Sequence, residues 1–296
     1  MRKLTLVAAA LLVACLVPAS ASAWGFAAHR YITRRALELL PPELKPFYQK
    51  YGDEVVMRCV DPDLWRNAGW DEEGNHFINF GVREYGPPPF AAVPRDYGAA
   101  LDRFGIVTLK RHGLLPWRTA EEFANLRRTF EEFKGQNPYA ASNLPLFTGI
   151  AAHYIEDANQ PFHTTTNYDG QLTMQTGLHN RFERDLFERF GSRLTLTPAP
   201  PTPIGDIRDF VFAATLASYA QVEAVLKADK DAIGAGDVYD DAYFERFFAA
   251  ARPVLERQMS AAITATASLI VGAWEQAGRP TPRLTDLRPV EKRQGK

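Results

Sequence analysis

Apart from His153, Glu156, Asp157 and Asn159, the stretch from Leu144 to Asn159 is almost wholly apolar. A run of that length and character reads as a buried central helix, and Pro161, which cannot continue a helix, ends it. The carboxylates inside it are the constraint. An unpaired buried carboxylate costs several kcal/mol, so this helix must bring its acids to a partner or to a metal ion.

Helical patterning extends along most of the chain. A first helix is expected from Ala27 to Leu40, stopped by Pro41-Pro42, and a second opening at Thr119, where Thr119-Ala120-Glu121-Glu122 reads as a capping box. Further helices are expected at Leu178 to Phe190, Phe210 to Lys227, Tyr243 to Arg257 and Met259 to Gln276, each with apolar positions three and four apart. Strand alternation is nearly absent. The proline-rich run Thr197 to Pro203 has the composition of a linker, but the helices after it are too apolar on one face to stand apart. The expected fold is an all-α, single-domain multi-helix bundle over residues 24 to 279, with residues 280 to 296 a loose basic tail.

The first 23 residues read as a signal peptide: basic Arg2-Lys3, an apolar Leu4 to Val17, and the small-residue cleavage signal Ala21-Ser22-Ala23. The apolar run is short for a spanning helix. Leu12-Val13-Ala14-Cys15 also resembles a lipoprotein box, which would cut before Cys15 instead. Cleavage after Ala23 makes Trp24 the first residue and takes the formal charge from -1 to -3 by removing Arg2 and Lys3. Cys59 is then the sole cysteine, so an exported chain, periplasmic or extracellular, gains no internal disulfide. The balanced charge supplies no long-range field for a polyanion, and no stable protein partner or membrane span of the mature chain is implied.

His153 and Asp157 are four apart on the central helix, so both side chains leave one face and can hold one ion, with His163 just beyond the turn at Pro161. His179 and Glu183 repeat the spacing. Facing helices that each carry such a pair resemble a helix-bundle metal site. Nitrogen and carboxylate ligands without cysteine suit zinc, and groups of three ligands leave positions open for water and hence for catalysis.

The motif His153-x-x-x-Asp157-x-x-x-x-x-His163, followed by His179-x-x-x-Glu183, resembles the trinuclear zinc phosphoesterases, the bacterial zinc-dependent phospholipases C and the S1/P1-type single-strand nucleases. Trp24-Gly25, His29, Asp61 to Arg66 and His76-Phe77 extend the resemblance over residues 24 to about 190; the remainder is similar only as helices. The resemblance implies three zinc ions: one on Asp63, His76, His153 and Asp157, one on His163, His179 and Glu183, and one on the amino group and carbonyl of Trp24 with His29 and a bridging Asp157. It favours Asp63 over Asp61 as ligand and makes Asp63 and Asp157 the catalytic carboxylates. A free amine at Trp24 exists only after cleavage at Ala23. His112 matches no ligand position and is expected in a solvated basic loop, Lys110 to Gly113.

The activity so implied is hydrolysis of a phosphodiester. Glu183 is phospholipase-like, whereas the five-residue step from Trp24 to His29 is nuclease-like. Phe77, Tyr154 and Tyr168 are candidates to contact a lipid headgroup or a single-stranded nucleic acid, or are core aromatics beside the metals; the loop Asn167 to Thr173 is expected to lie over the site. A binding protein whose zinc ions only stabilise the fold is a further alternative.

Overall fold

The computed structural model describes residues 24–135, 137–234 and 238–287; the leader, Cys15 and residues 288–296 of the expected tail lie outside the described residues. The described chain is all-α. Its helices are α1 Phe26–Glu38, α2 Lys45–Arg58, α3 Asp61–Asn67, α4 Tyr97–His112, α5 Leu115–Glu131 and α6 Ala140–Asp157. These are followed by α7, assembled from Leu178–Asn180, a π turn Arg181–Asp185 and Leu186–Phe190, then by α8 Ile207–Tyr219, α9 Val222–Ile233 and α10 Asp241–Gln276. The one β feature among the described residues is a parallel bridge between Phe80 and Thr165.

Helix α6 is the axis, packed against α1, α2, α3, α5 and α10. Every residue from Thr148 to Asp157 is buried, as its composition requires. Its close approach to α2 depends on Gly149, where an added Cβ would lie 2.7 Å from Arg58 Cβ and 2.9 Å from the Val55 carbonyl oxygen. On one side of α6 the core holds Phe47, Leu126, Phe130 and Leu269; on the other, Ile32, Phe182, Phe247 and Ile263 belong to a second cluster.

Several expected boundaries move, each for a local reason. Helix α5 begins at Leu115, with Pro116 in its first turn where a missing N–H costs nothing. Thr119 is therefore not a cap: it is buried inside the helix, and its hydroxyl donates to the Leu115 carbonyl at 2.8 Å. The helix expected over 210–227 breaks at Ala220-Gln221 into α8 and α9. Conversely, the two expected over 243–276 are one helix of 36 residues that runs through Pro253, because burial along its length outweighs one lost backbone bond. Asp240 caps it, accepting from Tyr243 N at 2.7 Å. No described helix is long and apolar enough to cross a membrane.

The proline-rich segment before α8 is a strap on α10. Thr195 N donates to Glu256, Thr197 N to Ser260, Ala199 N to Thr264 and Thr202 N to Ser268. Residues 280–287, the start of the expected loose tail, are tied down as well. The Leu284 carbonyl accepts from Tyr51 Oη at 2.7 Å, and the Asp286 carboxylate accepts from Ala141 N and Ser142 N at the start of α6.

Substituting Gly149 tests the axis. Gly149→Ala is expected to lower stability by about 1–3 kcal/mol by pushing α2 off α6, read as a lower urea midpoint with an unchanged slope; an unchanged midpoint would show that the contact is not tight.

Candidate metal centre

His153 and Asp157 project from the last turns of α6, with His153 Nε2 3.3 Å from Asp157 Oδ2. Helix α1 lies across them and brings His29, whose Nε2 is 3.4 Å from Asp157 Oδ1. The two oxygens of Asp157 thus face different histidines. Helix α3 supplies Asp63, and the segment after it supplies His76, whose Nδ1 is 3.1 Å from Asp157 Oδ2 and 3.8 Å from Asp63 Oδ1. The parallel bridge fixes this segment: Ile78 N donates to the His163 carbonyl and Phe80 N to that of Thr164, so His76 and His163 end up side by side. His179 and Glu183 come from α7, with His179 Nε2 2.9 Å and His163 Nε2 3.8 Å from Glu183 Oε2.

The eight side chains expected as ligands therefore fall into three buried groups that can hold metal ions: His29–His153–Asp157 and Asp63–His76–His153, which share His153, and His163–His179–Glu183, which adjoins them where His163 Nδ1 lies 3.7 Å from Asp157 Oδ1. Asp61 is elsewhere, paired with Arg58 at 3.2 Å. Trp24 is fully buried and its indole donates at 2.9 Å to the carbonyl of Glu156, the residue that precedes Asp157.

The donor chemistry fits a cation. Nδ1 of His153, His163 and His179 each meets a backbone carbonyl, of Cys59, His76 and Tyr168 respectively. A carbonyl only accepts, so Nδ1 carries the proton and Nε2 presents a lone pair. His29 is held the same way by Glu156, at 2.6 Å from its Nδ1. Among the described residues, the buried Nε2 atoms of His29 and His163, together with Asp157 Oδ1 and Glu183 Oε1, have no hydrogen-bond partner. Ligands on a tetrahedral zinc with arms of roughly 2.0–2.1 Å lie about 3.3 Å apart, and the separations above bracket that value.

Electrostatics agree. Burial holds His29, His76 and His163 well below the usual imidazole range, and His153 below it, so all four stay neutral. For His179 burial acts in the same sense but is outweighed by Glu183, and its pKa rises. Burial pushes Asp157 and Glu156 well above the carboxylate range, and Asp63 up to about 6 against the pull of His153 and Arg66. Neutral nitrogens around carboxylates that resist ionisation describe a pocket short of positive charge.

Through His76, His163 and His179 the second and third of these groups reach a cleft of about 280 Å³ lined also by Arg66, Phe77, Asn79, Arg111 and Tyr168. Phe77 and Tyr168 are on its wall, but Tyr154 is not: fully buried, it gives its hydroxyl to Glu72 and its ring to Arg118, so it acts as a core residue. His112 is not in a solvated loop; it ends α4, mostly buried against Tyr85, and belongs to none of the groups. The loop after Tyr168 holds ligand geometry, since the Asp169 carboxylate accepts from Gly177 N and His179 N. A wider groove of about 780 Å³ lies between the strap, α8 and α10 and contains no histidine.

Sequence reasoning passed over the residues that orient the ligands. Glu156 accepts from His29 and from Thr33 Oγ1 at 2.7 Å, and Gln160 Nε2 donates to Glu183 Oε2 at 2.7 Å. Glu156 left a signal, a second acid in an apolar helix; the Cys59 and Tyr168 carbonyls left none. Compared with known proteins, the chain matches no family model and no curated sequence.

Glu156→Gln keeps the size of the side chain but replaces the carboxyl group that meets His29 Nδ1 by an amide. It is expected to weaken one equivalent of bound divalent metal by about 10–100-fold with helical content unchanged, measured by competition with a chromogenic chelator; wild-type affinity would show that Glu156 only fills space.

Ionised Asp63 is disfavoured in the metal-free protein, so binding must expel its proton at any pH below about 6. Titration calorimetry in buffers of different ionisation enthalpy is expected to show proton release rising, and affinity falling, as pH drops from 7 to 5; pH-independent binding would contradict this.

Proposed function

We propose that the protein is an exported zinc-dependent phosphodiesterase with a trinuclear centre, phospholipase C-like in its reaction, acting in the periplasm or outside the cell. The observation that carries this reading is the convergence of three ligand groups, linked through Asp157 and His153, beneath a cleft that also holds a guanidinium, Arg66. A purely structural site would have no use for an open cleft over its ligands.

Asp63, His76, His153 and Asp157 would hold one ion, His163, His179 and Glu183 a second, and His29 with Asp157 and the freed amine and carbonyl of Trp24 a third. Bound zinc supplies Lewis acidity toward phosphoryl oxygens and renders a water acidic near neutrality. Arg66, 3.2 Å from Asp63 Oδ1 and on the cleft wall, neutralises charge gathering on a phosphoryl group entering the cleft. Asp63, raised to about 6 in the metal-free protein and stripped of its proton on binding, would serve the loaded site as a carboxylate that orients the attacking water. Asp157, fixed by contacts with four histidines, keeps the first and third groups in register. Phe77 and Tyr168 shape the entrance and exclude water from one wall.

A single-strand nuclease is the second reading, favoured by those same two wall aromatics, which have faces on which a base can stack, and by Arg111 beside them for a neighbouring phosphate.

The mature chain assayed on phosphatidylcholine and on single-stranded DNA and RNA decides between the two. Asp157→Asn is expected to reduce turnover on the preferred substrate by at least about 10³-fold, since the same carboxylate serves two ligand groups. Full zinc content with near-normal turnover in that variant would refute the reading.

A further inference from the structure

Arg181 sits two residues from each of the ligands His179 and Glu183, and so on the opposite side of α7. It is almost entirely buried, and each of its three guanidinium nitrogens donates. Nε and Nη2 donate to Asp229 Oδ1 at 3.3 and 3.1 Å, Nε also to Tyr243 Oη at 3.1 Å, Nη2 to the Gln175 carbonyl at 3.0 Å and Nη1 to the Thr176 carbonyl at 2.9 Å. Asp229, itself 1% exposed, also accepts from the Tyr243 hydroxyl and from Gln175 Nε2 at 2.7 Å. The Tyr239 ring closes the pocket, 4.1 Å from the guanidinium carbon.

The network joins three elements. Asp229 belongs to α9 and Tyr243 to α10, both from the part of the chain outside the ligand motifs, while Gln175 and Thr176 end the loop whose Tyr168 carbonyl and Asp169 carboxylate hold His179. The second ligand group rides on α7, thirteen residues with a π turn in their midst, and on the three-residue turn ending at His163, too little helix to keep its shape alone. A buried ion pair is weak evidence for net stability but does fix one arrangement of the groups around it. We infer that Asp229 is a positioning residue for the His163–His179–Glu183 group, acting through Arg181 to set both the π turn and the end of the 167–177 loop. This rests on the reading that the groups hold zinc.

The test uses the mature chain with its metal, comparing wild type with Asp229→Asn and Tyr243→Phe. Zinc equivalents and the affinity of each are measured by chelator competition, with the visible spectrum of the cobalt(II)-substituted protein as a second readout. His179→Ala identifies which equivalent the second group holds. Asp229→Asn is expected to weaken that equivalent alone by about 10–100-fold and to alter its cobalt bands, with a smaller change in Tyr243→Phe. A lowered melting temperature with every equivalent at wild-type affinity, or an equal loss across all equivalents, would overturn the inference. If Asp229→Asn does not fold, Tyr243→Phe decides by the same criterion. Wild-type chain that binds no zinc removes both this inference and the proposed function; zinc binding that Asp229→Asn leaves untouched removes this inference only.

Discussion

Taking a carboxylate out of water costs several kcal/mol unless positive charge accompanies it, and this chain buries Asp63, Glu156, Asp157 and Glu183 around one pocket. The imidazoles beside them cannot supply that charge, because burial keeps most of them neutral. Arg66 pairs directly with Asp63 and acts on Asp157 only from farther off, too weakly to offset burial. The other polar devices of the site follow from this deficit. Backbone carbonyls and Glu156 take the Nδ1 protons, Thr33 and Gln160 each donate to one carboxylate oxygen, of Glu156 and Glu183, and what is left is a set of lone pairs suited to cations.

The fold serves that arrangement by bringing ligands from widely separated segments onto α6. Helix α1 crosses it at His29, α3 at Asp63, and the parallel bridge delivers His76 beside His163. The joint between α4 and α5 is pinned at the same place. Gly113 has φ 97°, and a Cβ there would lie 1.9 Å from the Phe77 carbonyl oxygen, so only glycine lets the chain pass this close to the residue following His76.

Much of this was legible in the sequence because it depends on short spacing. The pairs His153/Asp157 and His179/Glu183 sit one turn apart, and that regularity survives even where α7 widens into a π turn, since four residues still return to nearly the same face. The all-α class was legible from the apolar periodicity. Long-range features were not. Nothing local in Arg181 announces Asp229, 48 residues away, or in His153 the Cys59 carbonyl. Boundaries went astray where tertiary burial overrode a local signal, as at Pro253 within α10 and at Thr119, whose cap-like context lies inside a helix that had already begun. Tyr154 shows the converse limit: its position next to His153 says nothing about which way a ring on a buried helix faces.

The strap against α10 has an arithmetic of its own. Two residues of extended, proline-rich chain advance about 6.2 Å, and four residues of α-helix about 6.0 Å. Amides at 195, 197 and 199 can therefore meet side chains at 256, 260 and 264 rung by rung, with little accumulated mismatch. Such a vernier tolerates swaps of one small hydroxyl for another but not changes in length. A single inserted residue in either partner would rotate or slide every later rung out of reach, so this face of the molecule should accept point changes far more readily than insertions or deletions.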